Sequence, residues 1–553
     1  MPDQFTIVTD PVSDSVALSA IFAVLPLLTL FVLLGALRVR AWLAGLISLA
    51  VALIVAIVVY SMPVGQALLS ASEGAAFGFF PILWIVLNAI WVYNLTVASG
   101  HFDVLRRSME RVSPDQRIQA IIVAFCFGAL LEALAGFGTP VAVTVVMLMA
   151  LGFPPIKAAA VALIANTAPV AFGALATPIV TLGTVTSGVS DDPRLNADTL
   201  GAMVGRQTPI LAVVVPLVLV AVIDGRRGVR QTWPAALVAG FVFGVAQFLA
   251  SNYISVPLTD IIAALVAAAA VMLLLRVWQP AQSPDLHEKP EPADGGGVAT
   301  LQRRDTGTEV ARAYAPYLII IAIFSLANIG AIKTALAKEP WSVAFHWPGL
   351  HVLGANGKPL ASTTFTFGWL AAAGTLMILA GILTAVVLRI GPRRALKAYA
   401  HTYVELRHAI VTVMAVLALA YVLNQSGQTN TLGLFLAQAG GIFIFLSSIL
   451  GWIGVAVTGS DTSANALFGA LQVETAAKAG LDPLLLAAAN SSGGVLGKMI
   501  SPQNLAIAAA AVGMAGKEGD IFRRVVGWSL LLLLVMCVLV TLQGTPVLGW
   551  MVL

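Results

Sequence analysis

"NTAPVAFGALATP", Asn166 to Pro178, and "NSSGGVLGKMISP", Asn490 to Pro502, both follow Asn-[Ser/Thr]-x5-Gly-x3-[Ser/Thr]-Pro. Asn166, Thr167, Gly173, Thr177 and Pro178 answer Asn490, Ser491, Gly497, Ser501 and Pro502. Upstream of each, at nearly the same distance, lies a second patch of small and polar residues. "AGFGTP" at Ala135 to Pro140 precedes the first and "TGSDTS" at Thr458 to Ser463 the second, with Gly136 opposite Gly459 and Thr139 opposite Thr462. A few Gly and Ser coincide readily in apolar helices, so each patch alone is a weak signal. Matched order and spacing of the two pairs mark an internal repeat.

The surroundings say what kind of chain carries this repeat. Of its 553 residues, 59% are hydrophobic and 10% charged, against roughly 25% charged in an average soluble protein. Apolar runs long enough to cross a hydrocarbon core of ~30 Å recur from end to end. The clearest are Leu18 to Leu37, Ala41 to Tyr60, Phe77 to Ala98, Ile118 to Ala135, Thr208 to Ile223, Trp233 to Ala250 and Leu258 to Trp278. Ala313 to Ala337, Phe367 to Ile390, Ile410 to Asn424, Leu432 to Val457 and Val525 to Val547 continue the series. An all-α, polytopic transmembrane protein follows, with the lipid bilayer as its surroundings. The polar, acidic N-terminus lacks the basic start of a cleavable signal, so the first run is expected to remain as a span.

Basic clusters favour the cytoplasmic side of a membrane. Placing Arg38/Arg40, Arg106 to Arg117, Arg226 to Arg230, Arg303 to Arg312, Arg389 to Lys397 and Arg523/Arg524 inside puts both termini and the acidic "SDDPRLNAD" segment outside. The helix from Ile118 then meets its patch while running outward, and the helix from Leu432 meets its patch while running inward. The repeats are therefore inverted, with cores at about 118–187 and 432–512. The Pro-, Gly- and charge-rich stretch at 279–312 reads as a cytoplasmic linker between a first membrane half, 1–278, and a second, 313–553.

Breaking a helix in hydrocarbon strands peptide groups at several kcal/mol each, so irregular backbone persists only where protein or a watery cavity surrounds it. Each break also begins a new half-helix, whose free N–H groups carry partial positive charge and suit an anion. The half-helix starts at Gly136, Gly138 and Thr139 and at Gly459 to Ser463 are thus candidate anion sites. The hydroxyls of Thr139, Thr167, Ser460, Thr462, Ser463, Ser491 and Ser492 and the amides of Asn166, Asn465 and Asn490 could replace the water that a small anion sheds. The competing reading is that small residues let helices pack and that Ser and Thr bond their own backbones.

Ionisable groups inside a membrane tilt the balance toward a site. Glu132 and Asp461 are candidates to take up and release a proton as water access alternates. Lys498 either pairs with a substrate carboxylate or forms a fixed ion pair with one of these acids. Lys157, Arg206, Asp224 and Asp260 fall near the expected membrane surfaces, where solvated or snorkelling roles are the default. Inverted repeats with broken helices are a recurrent plan of secondary transporters. No phosphate-binding loop is present, so no ATP motor is expected. The six His are scattered without metal-ligand spacing and the two Cys are far apart. No cofactor, no metal and no nucleic-acid partner is expected, and the chain is not read as an enzyme.

The chain resembles the bacterial L-lactate permease family. The resemblance rests on "EALAGFGTPVAV", "NTAPVAFGALATP", "VTGSDTSANALFGALQ" and "GKMISPQNLAIAAAAVG", supported by "SPDQRIQ" at Ser113 to Gln119 and "MVGRQ" at Met203 to Gln207. It implies uptake of L-lactate with a proton across the bacterial cytoplasmic membrane, with D-lactate and glycolate as related substrates. It also suggests kinship with elevator-type carriers built from inverted repeats with re-entrant hairpins, and through them a homodimer. Other readings that the residues leave open are a sodium-coupled carboxylate carrier, an anion channel and a membrane-embedded enzyme.

Overall fold

The computed structural model describes residues 4–37, 39–110, 113–134, 136, 138–281, 305–327, 329–354, 357, 359–514 and 517–553. Most of the 279–312 linker lies outside the described residues. Among those described, 11 helices are long and apolar enough to cross a membrane. The lowest-polarity runs became these helices because only a helix satisfies every peptide group within one apolar segment. Short strands occur too. Phe5–Thr6 pairs in parallel with Val352–Leu353, and Val343–His346 pairs antiparallel with Thr364–Phe367. All four lie outside the spans.

Two expected spans are something else. The helix Gln116–Leu134 does not end on the far side of the molecule, because the chain returns as Thr139–Ala150. Gln116 Nε2 donates to the Leu151 carbonyl at 2.7 Å, which ties the two feet of this hairpin together. The helix Phe443–Thr458 likewise reverses at Gly459 and returns as Asp461–Ala479, with Phe443, Ala476 and Leu486 packed at its base. Both outgoing arms are apolar and span-length, so hydropathy alone cannot distinguish a crossing from a re-entrant arm.

Each hairpin is followed by a broken helix. Pro155–Ala165 gives way to an irregular stretch with a 3-10 turn at Val170–Phe172 before helix Gly173–Ser187. Pro483–Gly497 is interrupted by a 3-10 turn at Lys498–Ile500 before Pro502–Ala511. The hairpin feet lie at opposite ends of the molecule. The first foot carries Arg117, bound to Asp224 at 2.9 Å, beside Lys157, which donates to Ile223 O at 2.8 Å. The second foot adjoins Asp482, bound to Arg194 at 3.0 Å. Arg194 also donates to Leu553 O, and the neighbouring Gly188 O accepts from Ser362 N, in the loop that pairs with Phe5–Thr6. Both chain ends therefore share one face, opposite the basic clusters.

Among the described residues, the two largest hydrophobic cores each draw on both halves of the sequence. One joins the hairpins, the broken helices and helices Thr208–Leu249, Thr259–Leu274 and Glu518–Gln543. The other joins Ala41–Val58 and Val64–Phe77 to Pro392–Ser426. Helix Thr208–Leu249 is two passes joined by a turn at Asp224–Gly225.

Candidate functional site

The two tips and the two breaks meet. Glu132, at the end of the first outgoing arm, accepts from Lys498 Nζ at 2.6 Å through Oε1 and from Asn166 Nδ2 at 2.9 Å through Oε2. Three separate pieces of chain, the first hairpin and both broken helices, are joined at this carboxylate. Glu132 is 3% exposed and Lys498 6%, so both charges are largely withdrawn from solvent and each depends strongly on the other. Gly173 makes room for the pair: a Cβ there would lie 2.7 Å from Glu132 Oε1.

Asp461 is held differently. It opens the returning arm of the second hairpin, where Ser460 caps the helix by accepting from Ser463 N and a negative charge suits the helix start. Its Oδ2 accepts from Ser491 Oγ at 2.6 Å and from Asn465 Nδ2 at 3.3 Å. Its Oδ1 is buried and has no partner among the described residues. Asn465 also donates to the Pro178 carbonyl at 3.1 Å, near the restart of the first broken helix. Asn490 Nδ2 donates to Asn465 Oδ1 at 2.9 Å, and Asn490 Oδ1 accepts from Gln472 at 3.1 Å.

The tips are built by left-handed backbone. Gly136, Gly138 and Gly459 have φ of 53°, 83° and 76°, in the region that glycine enters without a Cβ penalty. Ala174, Leu175 and Ala176 also sit at φ of 44°, 55° and 58°, where an L-residue costs roughly 1–2 kcal/mol. This strained turn packs against the first tip, since a Cβ on Gly136 would lie 3.3 Å from Ala174 Cβ. Nothing in "GALATP" announces it, because none of these residues favours that conformation.

A cavity of about 1200 Å³ runs from this cluster to the basic end of the molecule. Of the residues singled out in the sequence, Glu132, Gly136, Gly173, Pro178, Gly459, Ser460, Asp461, Thr462, Ser463 and Lys498 line it. Its mouth carries Arg40, Trp42, His408 and Glu518, of which sequence reasoning picked out none for the site; Arg40, Trp42 and Glu518 sit at helix starts, whereas His408 lies midway along Pro392–Ser426. Asn465, Asn490 and Ser491 stand behind Asp461. Asn490 lies within the unbroken part of Pro483–Gly497, ahead of the break, whereas its counterpart Asn166 caps the end of Pro155–Ala165. Thr167 Oγ1 donates to Ile164 O at 2.7 Å, back onto the end of the preceding helix. Ser492 Oγ points away from the cavity to Gln207 Oε1 at 2.6 Å. Gly138 faces Ile507 and Asn504. Thr139 begins a helix, and its side chain lies outside the described ones.

Asp260 corrects the sequence reading. It was expected near a membrane surface, but it is fully buried because the chain at Val256–Leu258 and the neighbouring helices cover it.

A sequence profile for the L-lactate permease family matches residues 19–547. The L-lactate permease of Bacillus subtilis (strain 168) is 40% identical over 572 residues, covering 99% of this chain and 100% of its own. The glycolate permease GlcA of Escherichia coli (strain K12) is 42% identical, with 97% of each chain covered. The L-lactate permease of the same strain is 42% identical, with 98% of each covered. Among solved structures, the YdaH transporter of Alcanivorax borkumensis aligns over 86% of this chain and 88% of its own, with a TM-score of 0.44 and 17% identity.

Proposed function

This chain belongs to the L-lactate permease family, and we propose that it carries L-lactate, glycolate and related 2-hydroxy monocarboxylates, each with one proton, into the cell across the cytoplasmic membrane. The two substrates named for its relatives share a carboxylate with a hydroxyl on the next carbon and differ by one methyl. A site for both reads the shared groups and leaves space at the methyl.

The observation that carries the reading is the cavity floor, where two acids and one lysine meet beside two helix starts. Lys498 neutralises Glu132, which leaves Asp461 as the second acid. An incoming carboxylate would place another negative charge beside Asp461 at low dielectric, where like charges repel strongly. A proton on Asp461 removes that repulsion and leaves the loaded site with the same net charge as the empty one, so one substrate anion and one proton together add no charge. The helix starts at Thr139 and Asp461 offer backbone N–H donors to the substrate carboxylate, and Ser460, Thr462 and Ser463 offer partners to its hydroxyl. With the basic end cytoplasmic and both termini outside, the cavity is the inward-open state. Movement of the hairpin core against the helix Pro392–Ser426 core, in the manner of an elevator, would then expose the same floor to the outside.

A buried carboxylate at the break between two hairpin arms, as Asp461 is, is also what a sodium ion would seek, so sodium coupling is the second reading. Counterflow of labelled lactate in proteoliposomes, with pH and sodium varied independently, separates the two. Acid-driven, saturable, sodium-independent uptake is expected. Sodium-driven uptake at constant pH would favour the second reading, and flux that never saturates would indicate a channel. Coupling to pH that survives in both Glu132→Gln and Asp461→Asn would remove these acids as carriers.

A further inference from the structure

Behind the cavity, one turn of chain is linked to both broken helices, to the second directly and to the first through Gln247. Gln207 and Thr208 adjoin each other where helix Ala197–Val204 gives way to Thr208–Leu249. Gln207 Oε1 accepts from Ser492 Oγ at 2.6 Å, in the arm leading to the second break, and its Nε2 donates to Gln543 Oε1 at 2.9 Å. Thr208 Oγ1 reaches Gln247 Oε1 at 3.4 Å. Gln247 Nε2 in turn donates to the Ala168 carbonyl at 3.2 Å, in the unwound stretch of the first broken helix, and to Asp260 Oδ1 at 2.9 Å. All of these side chains except that of Ser492 belong to elements outside the two repeats, and none of them lines the cavity.

Unwinding frees the Ala168 carbonyl, and a buried carbonyl without a partner is costly in hydrocarbon. Gln247 supplies that partner two residues from Asn166, whose amide is bonded to Glu132. Ser492 directly follows Ser491, whose hydroxyl is bonded to Asp461. A carboxamide carries both donor and acceptor, so each glutamine links a repeat element to a fixed neighbour. We propose that Gln207 and Gln247 are positioning residues for the carrier site, forming a buried polar strap that fixes Asn166 beside Glu132 and Ser491 beside Asp461, with Gln543 and Asp260 as anchors. Asp260 serves here as an acceptor for Gln247 and carries no transported proton. This rests on the carrier reading above, because it assigns roles within that site.

The test uses full-length Gln207→Ala, Gln247→Ala, Thr208→Val and Asp260→Asn in proteoliposomes, with lactate uptake and hydrogen–deuterium exchange measured side by side. KM for lactate should rise about ten- to hundredfold in either alanine variant and by less in Thr208→Val, a near-isosteric change that the fold should tolerate. Asp260→Asn keeps an acceptor for Gln247, so KM and pH profile should stay within about twofold of the parent. Exchange needs no substrate: it should quicken at 166–172 in Gln247→Ala and at 490–501 in Gln207→Ala, each without the other. Parent protein that takes up no lactate defeats the carrier reading while exchange still judges the strap. Unchanged exchange and KM in Gln207→Ala and Gln247→Ala, or in Thr208→Val should the alanine variants not fold, overturns the strap. Loss of pH dependence in Asp260→Asn overturns the role given to Asp260.

Discussion

The two repeats share a plan and differ in chemistry. In the first, the acid at the tip has both oxygens engaged, one by a lysine from the other repeat and one by an amide from its own. In the second, the acid at the tip has a hydroxyl and an amide on one oxygen and, among the described residues, nothing on the other. Under the carrier reading, symmetry of fold would supply two gates that open to opposite ends, and asymmetry of partners would give them separate tasks. Glu132 joins the repeats, and Asp461 would be the acid that exchanges its proton.

The largest test of this contrast is Lys498→Ala. Removing one partner of a buried ion pair costs about 3–5 kcal/mol, because the remaining charge is stranded. Lys498→Ala should therefore lower the melting temperature sharply and abolish uptake. Adding Glu132→Gln should recover much of the stability, since it removes the stranded charge. A double variant no more stable than Lys498→Ala would show that Glu132 has another compensating partner and that the two acids are less different than the hydrogen bonds indicate.

Next comes the exchange of roles. Asp461→Asn should leave a folded protein that still exchanges lactate but no longer responds to a pH gradient, a loss of at least about tenfold in acid-driven uptake, or ~1.4 kcal/mol of driving force. Glu132→Gln should instead disturb assembly of the site, with falls in stability and maximal rate and with the pH response of the residual uptake retained. Measured pH profiles of the two variants would break the comparison if they came out interchangeable.

How much of this was legible in the sequence depends on the kind of signal. The apolar runs, the inverted sense of the repeats and the grouping of Glu132, Asp461 and Lys498 follow from hydropathy, charge placement and the rarity of charge in a membrane. The re-entrant hairpins do not, because Gln116–Leu134 is as long and apolar as a crossing helix and only the contact of Gln116 with Leu151 reveals its return. The partnership of Lys498 with Glu132, left open against a substrate carboxylate, needed coordinates because the two residues come from different repeats. Asn490 matched Asn166 by spacing, yet the second break begins only at Lys498. Its Asn-Ser pair consequently serves the hairpin behind it, while the Asn166 side chain sits at the break. Gln207, Gln247 and Asp260 were invisible as a group, since nothing in their spacing says that one turn of chain will be linked to both repeats.

The backbone of the tips gives a smaller test. Gly459 has φ of 76°, and a Cβ there would meet Gln503 Oε1 at 2.6 Å. Gly459→Ala should therefore cost about 1–3 kcal/mol, from left-handed strain and crowding together. Gly173→Ala acts by crowding alone, because Gly173 has φ of −62° and the obstacle is the Glu132 carboxylate. Shortening that obstacle with Glu132→Asp should rescue Gly173→Ala and leave Gly459→Ala unimproved, as read by melting temperature.

The smallest effect is expected where the second hairpin is footed. At the first foot Arg117 is fully buried between Asp115 and Asp224, whereas at the second Arg194 is partly exposed as it binds Asp192, Asp482 and Leu553 O. Exposed ion pairs contribute about 0–1 kcal/mol, so Arg194→Ala should lower stability by no more than that at neutral pH and leave uptake unchanged. The hydrogen bond from Arg194 holds Asp192 below the usual carboxylate range. A carboxylate depressed in the folded state lends stability above its unfolded value, about 3.9, and loses it as pH falls through the folded one. The gap between parent and Arg194→Ala should thus be constant from neutrality down to about pH 5 and close below about pH 4. A gap that instead widened on acidification, or that exceeded the cost of Gly459→Ala, would mean that the second foot is as firmly set as the first and that the hairpins differ only at their tips.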